Sequence, residues 1–189
     1  MFQKGDTVVY PHHGAVVIQD IVELEMFGTR TTYLKLSLPR KSLTIMVPVA
    51  SAAEVGIRGV VSRKKAEDVL SLLRGDAGWM PALWNQRFKT NREKLVSGDI
   101  DRLAEVIRDL SISDRKRPLA AGEQRLLAKA REILISELIF AVDSSEEIVQ
   151  TMLDEALMDH ASPSPSIPSG KPSARTKAPG DDAGVVVVL

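Results

Sequence analysis

The sequence predicts an α+β protein: a small antiparallel β-barrel, then a compact all-helical bundle, then a disordered C-terminal tail. Three observations carry this. Residues 1–52 hold short runs rich in Val, Ile, Thr and Tyr between turn residues, the pattern of a small antiparallel barrel. From residue 62 apolar side chains recur three and four positions apart, the period of an amphipathic helix. After Ala161 the composition turns to Pro, Ser, Gly and Ala, opening with Ser162-Pro163-Ser164-Pro165-Ser166. Such a stretch buries too little apolar surface to fold. The division is 1–52 for the barrel, 53–61 for a linker, 62–160 for the bundle and 161–189 for the tail.

The barrel is read as four strands. Gly5-Asp6 turns into Thr7–Tyr10, and Pro11-His12-His13-Gly14 breaks that strand. Ala15–Glu25 is the second, followed by a loop at Phe27-Gly28-Thr29. Thr31–Leu38 is the third, with Thr32, Leu34, Leu36 and Leu38 alternating against Tyr33, Lys35 and Ser37. Pro39-Arg40-Lys41 turns the chain into Leu43–Val47, which Pro48 ends.

The bundle is read as five helices. Ser62 caps the first, which carries Ala66, Val69, Leu70 and Leu73 inward and stops at Gly75. A loop from Asp76 to Leu83 delivers Trp84 to the start of the second, which ends at Ser97-Gly98-Asp99. The third runs from Ile100 to about Ser111, and residues 114–118 form a charged loop. The longest spans Ala121–Val142, with Glu123, Arg125, Lys129, Arg131, Glu132 and Glu137 read as solvated charges. Ser144 with Glu147 fits a capping box for the last, which turns Ile148, Met152, Leu153 and Leu157 inward. Short joints between such helices make a compact bundle.

Composition removes several functions. Among 189 residues there is no cysteine, which excludes disulfides, thiolate catalysis and Cys-ligated zinc. The start, MFQKGDTVVY, has no secretory pattern, and no run reaches the roughly 20 apolar residues of a membrane span, so a cytoplasmic protein is expected. His12-His13 invites a metal reading, but the remaining histidine is the distant His160, and zinc needs three or four ligands. The Pro-His-His-Gly turn is read as a structural corner. No nucleophile–base pair or phosphate loop appears, so no enzyme, metal or cofactor is expected.

Charge is segregated although 25 basic residues balance 25 acidic ones. Residues 141–160 carry acids and no Lys or Arg, whereas Arg63-Lys64-Lys65, Trp84–Lys94 and Arg115-Lys116-Arg117 are basic. Within WNQRFKTNREKL, Arg87, Lys89, Arg92 and Lys94 face one acid, Glu93. Helical spacing puts Trp84, Phe88 and Leu95 on one side. Cations beside a flat apolar wedge are what a minor-groove binder needs. The same spacing also fits a core tryptophan and a solvated basic face, and it does not separate the two.

GDTVVYPHHGA, LTIMVP, WNQRFKTNREKL with SGD following, AEVIRDL and AAGEQRLLAKAREIL occur in order over residues 1–158. Together they resemble the CarD/CdnL family of bacterial transcription regulators. The resemblance implies an N-terminal Tudor-like (SH3-like) barrel that binds the RNA polymerase β subunit, a module type also found in the transcription-repair coupling factor. It further implies a helical domain that touches promoter DNA at the upstream edge of the transcription bubble. There a Trp wedges into the minor groove and stabilises the open complex. Trp84 matches that Trp, and Arg87 and Lys89 match basic DNA-facing positions; Arg92 belongs to the same basic run. No membrane partner is implied, and a monomer is expected.

The chain departs from the family where actinobacterial members carry Arg on two barrel strands for polymerase. Leu24 and Met46 stand there instead. Gln86 and Gln124 likewise replace common basic residues. Each loss removes a charge-assisted contact worth about 1.5–3 kcal/mol when well made. These departures keep a second expectation open: an interaction adaptor, a divergent paralogue that docks on polymerase or another partner without a DNA wedge.

Overall fold

Period-two alternation builds the first unit. The computed structural model describes residues 2–11, 13–26, 29–38 and 43–158. In it β1 (Thr7–Tyr10), β2 (Gly14–Met26), β3 (Thr29–Leu38), β4 (Leu43–Pro48) and β5 (Arg58–Gly59) form one antiparallel sheet, ordered β4-β3-β2-β1-β5. The expected barrel is corrected to an open sheet. β4 and β5 lie at opposite ends of the strand order, so among the described residues no ladder closes it. β5 pairs with β1 through Val8–Gly59 and Val9–Arg58, inside the stretch 53–61 read as a linker.

One face of the sheet buries Val8, Val16, Ile18, Leu34, Leu36, Leu38 and Val47. A register shift between Ile18 and Asp20 interrupts the β2–β3 ladder. Successive strand side chains alternate faces, so one extra residue reverses every position after it. Ile18 and Ile21 therefore both pack toward the core, and Leu24 is turned outward.

The helices are α1 (Arg63–Leu73), α2 (Trp84–Val96), α3 (Ile100–Lys116), α4 (Ala121–Val142) and α5 (Glu146–Met158). The Ser62 hydroxyl accepts from the Lys65 N–H at 3.2 Å, capping α1 as its position predicts. α3 runs to Lys116, and residues 114–116 form its last turn rather than a loop. Exposed Asp, Arg and Lys are compatible with helix, and Pro118 sets the stop, since the residue before a proline avoids the helical region. The α5 cap is corrected by one residue: the Ser145 hydroxyl accepts from Ile148 N–H at 3.4 Å. Val149 is accordingly buried and Ile148 exposed. The bundle core joins Val69, Leu73, Ile107, Leu110, Leu134, Leu138 and Leu153. No described helix is long and apolar enough to cross a membrane.

Sheet and bundle meet through polar contacts on β5, β2 and α4. Glu137 of α4 was expected in solvent; it is buried, and Arg58 donates to both its oxygens at 2.5 and 2.9 Å. The Val61 N–H also donates to Glu137 at 3.1 Å, and Arg58 reaches the Gly98 carbonyl at 3.2 Å. Beside this joint the Ala15 N–H donates to Ser136 Oγ at 3.0 Å. Gly14, at φ +83°, admits that approach, because a Cβ there would fall 2.1 Å from the same oxygen. His13 stacks on Tyr10 with centroids 5.2 Å apart, at the expected corner. His12, His160, the turns at 27–28 and 39–41 and the tail 161–189 lie outside the described residues.

Removing Arg58 would strand a buried carboxylate, so Arg58→Ala is expected to cost about 3–5 kcal/mol in urea unfolding. Glu137→Gln is expected to cost less, since Arg58 is 33% exposed and can hydrate. Equal losses would contradict this asymmetry.

Candidate nucleic-acid interface

α2 is a polar helix at the edge of the bundle. It contains no Gly or Pro, and its only fully buried residue is Asn91. Phe88 and Leu95 pack against the core from half-buried positions. Much of its attachment is ionic. Arg87 donates to both oxygens of Glu123 on α4 at 2.6 and 3.1 Å, and Lys94 pairs with Glu105 on α3 at 2.8 Å. Glu123, expected in solvent, is in fact buried. Its hydrogen bond raises the Arg87 pKa above the ordinary value against the opposing effect of burial, and its charge adds to the rise.

The four cations of the motif therefore divide. Arg87 and Lys94 are engaged with acids of the bundle. Lys89 is exposed, with Glu93 4.0 Å away one turn on. Arg92 is exposed and has no ion-pair partner among the described residues. Of the sequence-predicted set, the fold brings Trp84, Arg87, Lys89 and Arg92 onto one helix, with Lys89 and Arg92 offering charge outward.

Trp84 is the first residue of α2 and is 45% exposed. One face stacks on Phe88, with centroids 5.5 Å apart and planes 18° from parallel. Both rings lean on Gly122 in the first turn of α4. A Cβ built there would lie 3.4 Å from Phe88 Cε2 and 3.7 Å from Trp84 Cζ2, ordinary contact distances, so the rings pass directly over this backbone. The ring is thus backed on one side and open on the other. α2 and α4 both start here, with Leu83 and Ala120 at their caps and no side-chain cap bond at either. Helix starts present unpaired N–H groups and partial positive charge. At the α4 start Glu123, in the first turn, opposes this partial charge and is paired with Arg87.

Sequence reasoning missed two features. Trp79, in the loop before α2, is 86% exposed, more than Trp84, and Leu83 is exposed beside it. The loop is anchored where Gly78 N–H donates to buried Asp109 at 2.9 Å. A Trp between Gly and Pro signals loop placement, but not whether it is covered. The second feature is a cleft of about 430 Å³ beside Trp84, bordered by Arg87, Ser113, Lys116, Arg117 and Glu123. Lys116 and Arg117 were legible as a basic run; their distance in sequence concealed their place next to Trp84.

Leu24 and Met46 are on the sheet, far in sequence from Trp84. Leu24 pairs with Thr31 and Met46 with Lys35, and Thr31 and Lys35 share a face of β3. Both therefore lie on the outer face, Leu24 at 41% exposure and Met46 half-buried. No described group of three or more His, Asp or Glu side chains is placed to hold a metal ion.

The two parts match known families separately. The CarD-like/TRCF RID domain matches residues 2–61, and the CarD C-terminal domain matches residues 68–154. The chain is also similar to a protein of Bacillus subtilis (strain 168) named "Putative transcription factor YdeB". They are 34% identical over 138 residues, which covers 73% of this chain and 90% of that protein.

The exposure difference is directly measurable. With Trp79 as the sole indole (Trp84→Phe), acrylamide quenching of fluorescence is expected to exceed that with Trp84 alone (Trp79→Phe). A more strongly quenched Trp84 would contradict the stacking on Phe88.

Proposed function

The chain belongs to the CarD/CdnL family, and from that premise we propose that it is a transcription regulator that moors to RNA polymerase and steadies opened promoter DNA. The sheet docks on the polymerase β subunit. The helical domain meets DNA at the upstream edge of the bubble, where Trp84 wedges into the minor groove. Lys89 and Arg92 hold phosphates, which gives salt-dependent affinity with little sequence information. Arg87 contributes by fixing the helix and by bordering the cleft next to the ring. The protein acts as a monomer, without a cofactor and without catalysis.

The observation that carries this reading is the half-open Trp84 ring at the meeting of two helix starts, with outward cations on its own helix. An indole backed by Phe88 keeps its orientation, so less freedom is lost when it inserts. Docking through the sheet raises the local concentration of the wedge at the promoter. The wedge then shifts the open–closed equilibrium by its differential affinity for the opened state. On the polymerase side, Leu24 and Met46 offer an apolar outer face, and β4, at one end of the strand order, has a side not used in the sheet. Apolar contact and strand addition would take the place of the missing arginines there.

A second reading, the adaptor without a DNA wedge, draws on Trp79 and Leu83. The loop 75–83 that carries them has Asp76 as its only charged residue. Exposed aromatic and aliphatic side chains without cations suit a protein surface better than a polyanion. If this reading is correct, Trp79→Ala weakens capture of polymerase and Trp84→Ala changes nothing.

Under the main reading, Trp84→Ala leaves polymerase binding intact and shortens the open-complex lifetime by about fivefold or more. That is the least expected from roughly 1 kcal/mol of aromatic–base contact. A competitor-challenge assay on a promoter with an unstable bubble measures it, and an unchanged lifetime removes Trp84 from the mechanism. Leu24→Asp with Met46→Asp is expected to lower β-subunit capture by the full chain at least about tenfold, a loss of roughly 1.4 kcal/mol. Undiminished capture would place the docking surface elsewhere.

A further inference from the structure

The acid-rich stretch 141–160 takes no part in the contacts proposed above. On α5, Glu147, Thr151 and Glu155 are exposed and stand four residues apart, so they lie one above another along one side of the helix. Neither carboxylate has an ion-pair partner among the described residues. Asp154, beside them, is already held by Arg131. The stripe runs toward Met158, 65% exposed, where the described chain stops. At the other end of α5 its first residue, Glu146, borders a cleft of about 220 Å³.

This cleft lies between the sheet and α4. Val16 and Val17 of β2, Leu38 of β3 and Ile139 and Phe140 of α4 line it, and Phe140 is 49% exposed. Its hydroxyl and one of its acids are already engaged. Ser136 Oγ accepts from the Ala15 N–H at 3.0 Å and donates to the Ile133 carbonyl at 2.7 Å, and Glu132 is paired with Lys129 at 3.2 Å. What the cleft offers a ligand is apolar burial. The acids at its border disfavour an anion, nucleic acid included.

The chain itself carries a segment with both complements. Residues 161–180 hold Lys171, Arg175 and Lys177 and no acid, and residues 185–189 are Val-Val-Val-Val-Leu. We infer that this tail folds back along α5, sets its cations on the Glu147–Glu155 stripe and seats Val185–Leu189 in the cleft between the sheet and α4. The order on the surface matches the order in the sequence. The stripe lies between Met158 and the cleft, as the cations lie between Met158 and the valines. The distances agree as well. At 1.5 Å per residue, the return path along α5 is roughly 20 Å. Residues 159–184 number about 26, and a coil of that length has an r.m.s. span of roughly 26–31 Å. A segment without a core of its own gains order by covering a surface that is already formed. Seated there, the run bears on β2, β3 and α4 together and reinforces the Ala15–Ser136 contact between sheet and bundle. The inference is independent of the DNA contact proposed for Trp84.

The chain has no cysteine, so thiols can be placed one at a time. The full chain carrying Val17→Cys in the cleft and Val187→Cys in the run is treated with a short bis-maleimide. Internal cross-linking of the monomer is followed by mass spectrometry. Lys89→Cys on α2 with Val187→Cys is the control pair. Each rate is divided by the rate at which the same thiols react with a monofunctional maleimide. The first pair is expected to link at least about tenfold faster than the second, because docking raises the effective concentration of the tail thiol at the cleft. Glu147→Lys with Glu155→Lys is expected to remove that excess, and adding Lys171→Glu, Arg175→Glu and Lys177→Glu to restore it. Thermal melting checks that each variant is folded. Equal rates for the two pairs overturn the inference, and so does an excess that survives the reversal of the acids. Linking between chains that rises with protein concentration places a second copy in the cleft and overturns the folded-back tail.

Discussion

The arrangement depends on two carboxylates buried along α4. Glu123 and Glu137 both have about 1% of their surface accessible, and each is taken by an arginine from another element: Arg87 of α2 and Arg58 of β5. At 1.5 Å per residue they stand roughly 21 Å apart along the helix axis. One end of α4 thus grips the helix that presents Trp84, and the other grips the sheet. An unpaired buried carboxylate is costly, so each acid enforces its partner's position as a packed aliphatic surface alone would not. α4 is the member through which the sheet and the helix carrying Trp84 are tied together.

From that constraint the character of the candidate interface follows. α2 buries little, so packing alone would hold it weakly. Ionic anchoring lets the helix stay polar and keep Lys89 and Arg92 outward. The half-open state of Trp84 has a similarly local cause. Phe88 backs the ring, and Gly122 supports both rings without a side chain to cover them. At the sheet, one bulge in β2 decides that Leu24 faces out. In both places a small backbone feature exposes a large apolar side chain where contact with a partner is proposed.

Much of the helical architecture was legible because capping and periodicity are local. Ser62, Gly75 and Gly98 mark helix limits that the fold respects. The α3 end and the α5 cap were misplaced by local ambiguity: charged residues are compatible with helix and loop alike, and Ser144 and Ser145 are adjacent candidates. The open sheet was not legible, since closure depends on which edges meet, and no local signal reports that. Glu123 and Glu137 were read as solvated because their partners lie 36 and 79 residues away in sequence. Trp84 was found as a candidate, but only the fold distinguishes a half-open ring from a core one. The cations at 116 and 117 were visible as charges and invisible as neighbours of that ring.

The sheet is proposed to moor the protein and the Trp84 edge to meet DNA, the two joined through α4. That arrangement requires physical contact between the indole position and promoter DNA while the protein is held on polymerase. The most direct measurement replaces Trp84 with a photo-crosslinking amino acid and maps its adducts in the assembled polymerase–promoter open complex. Adducts are expected on DNA at the upstream edge of the bubble. Adducts confined to a protein subunit or to the chain itself would contradict that contact.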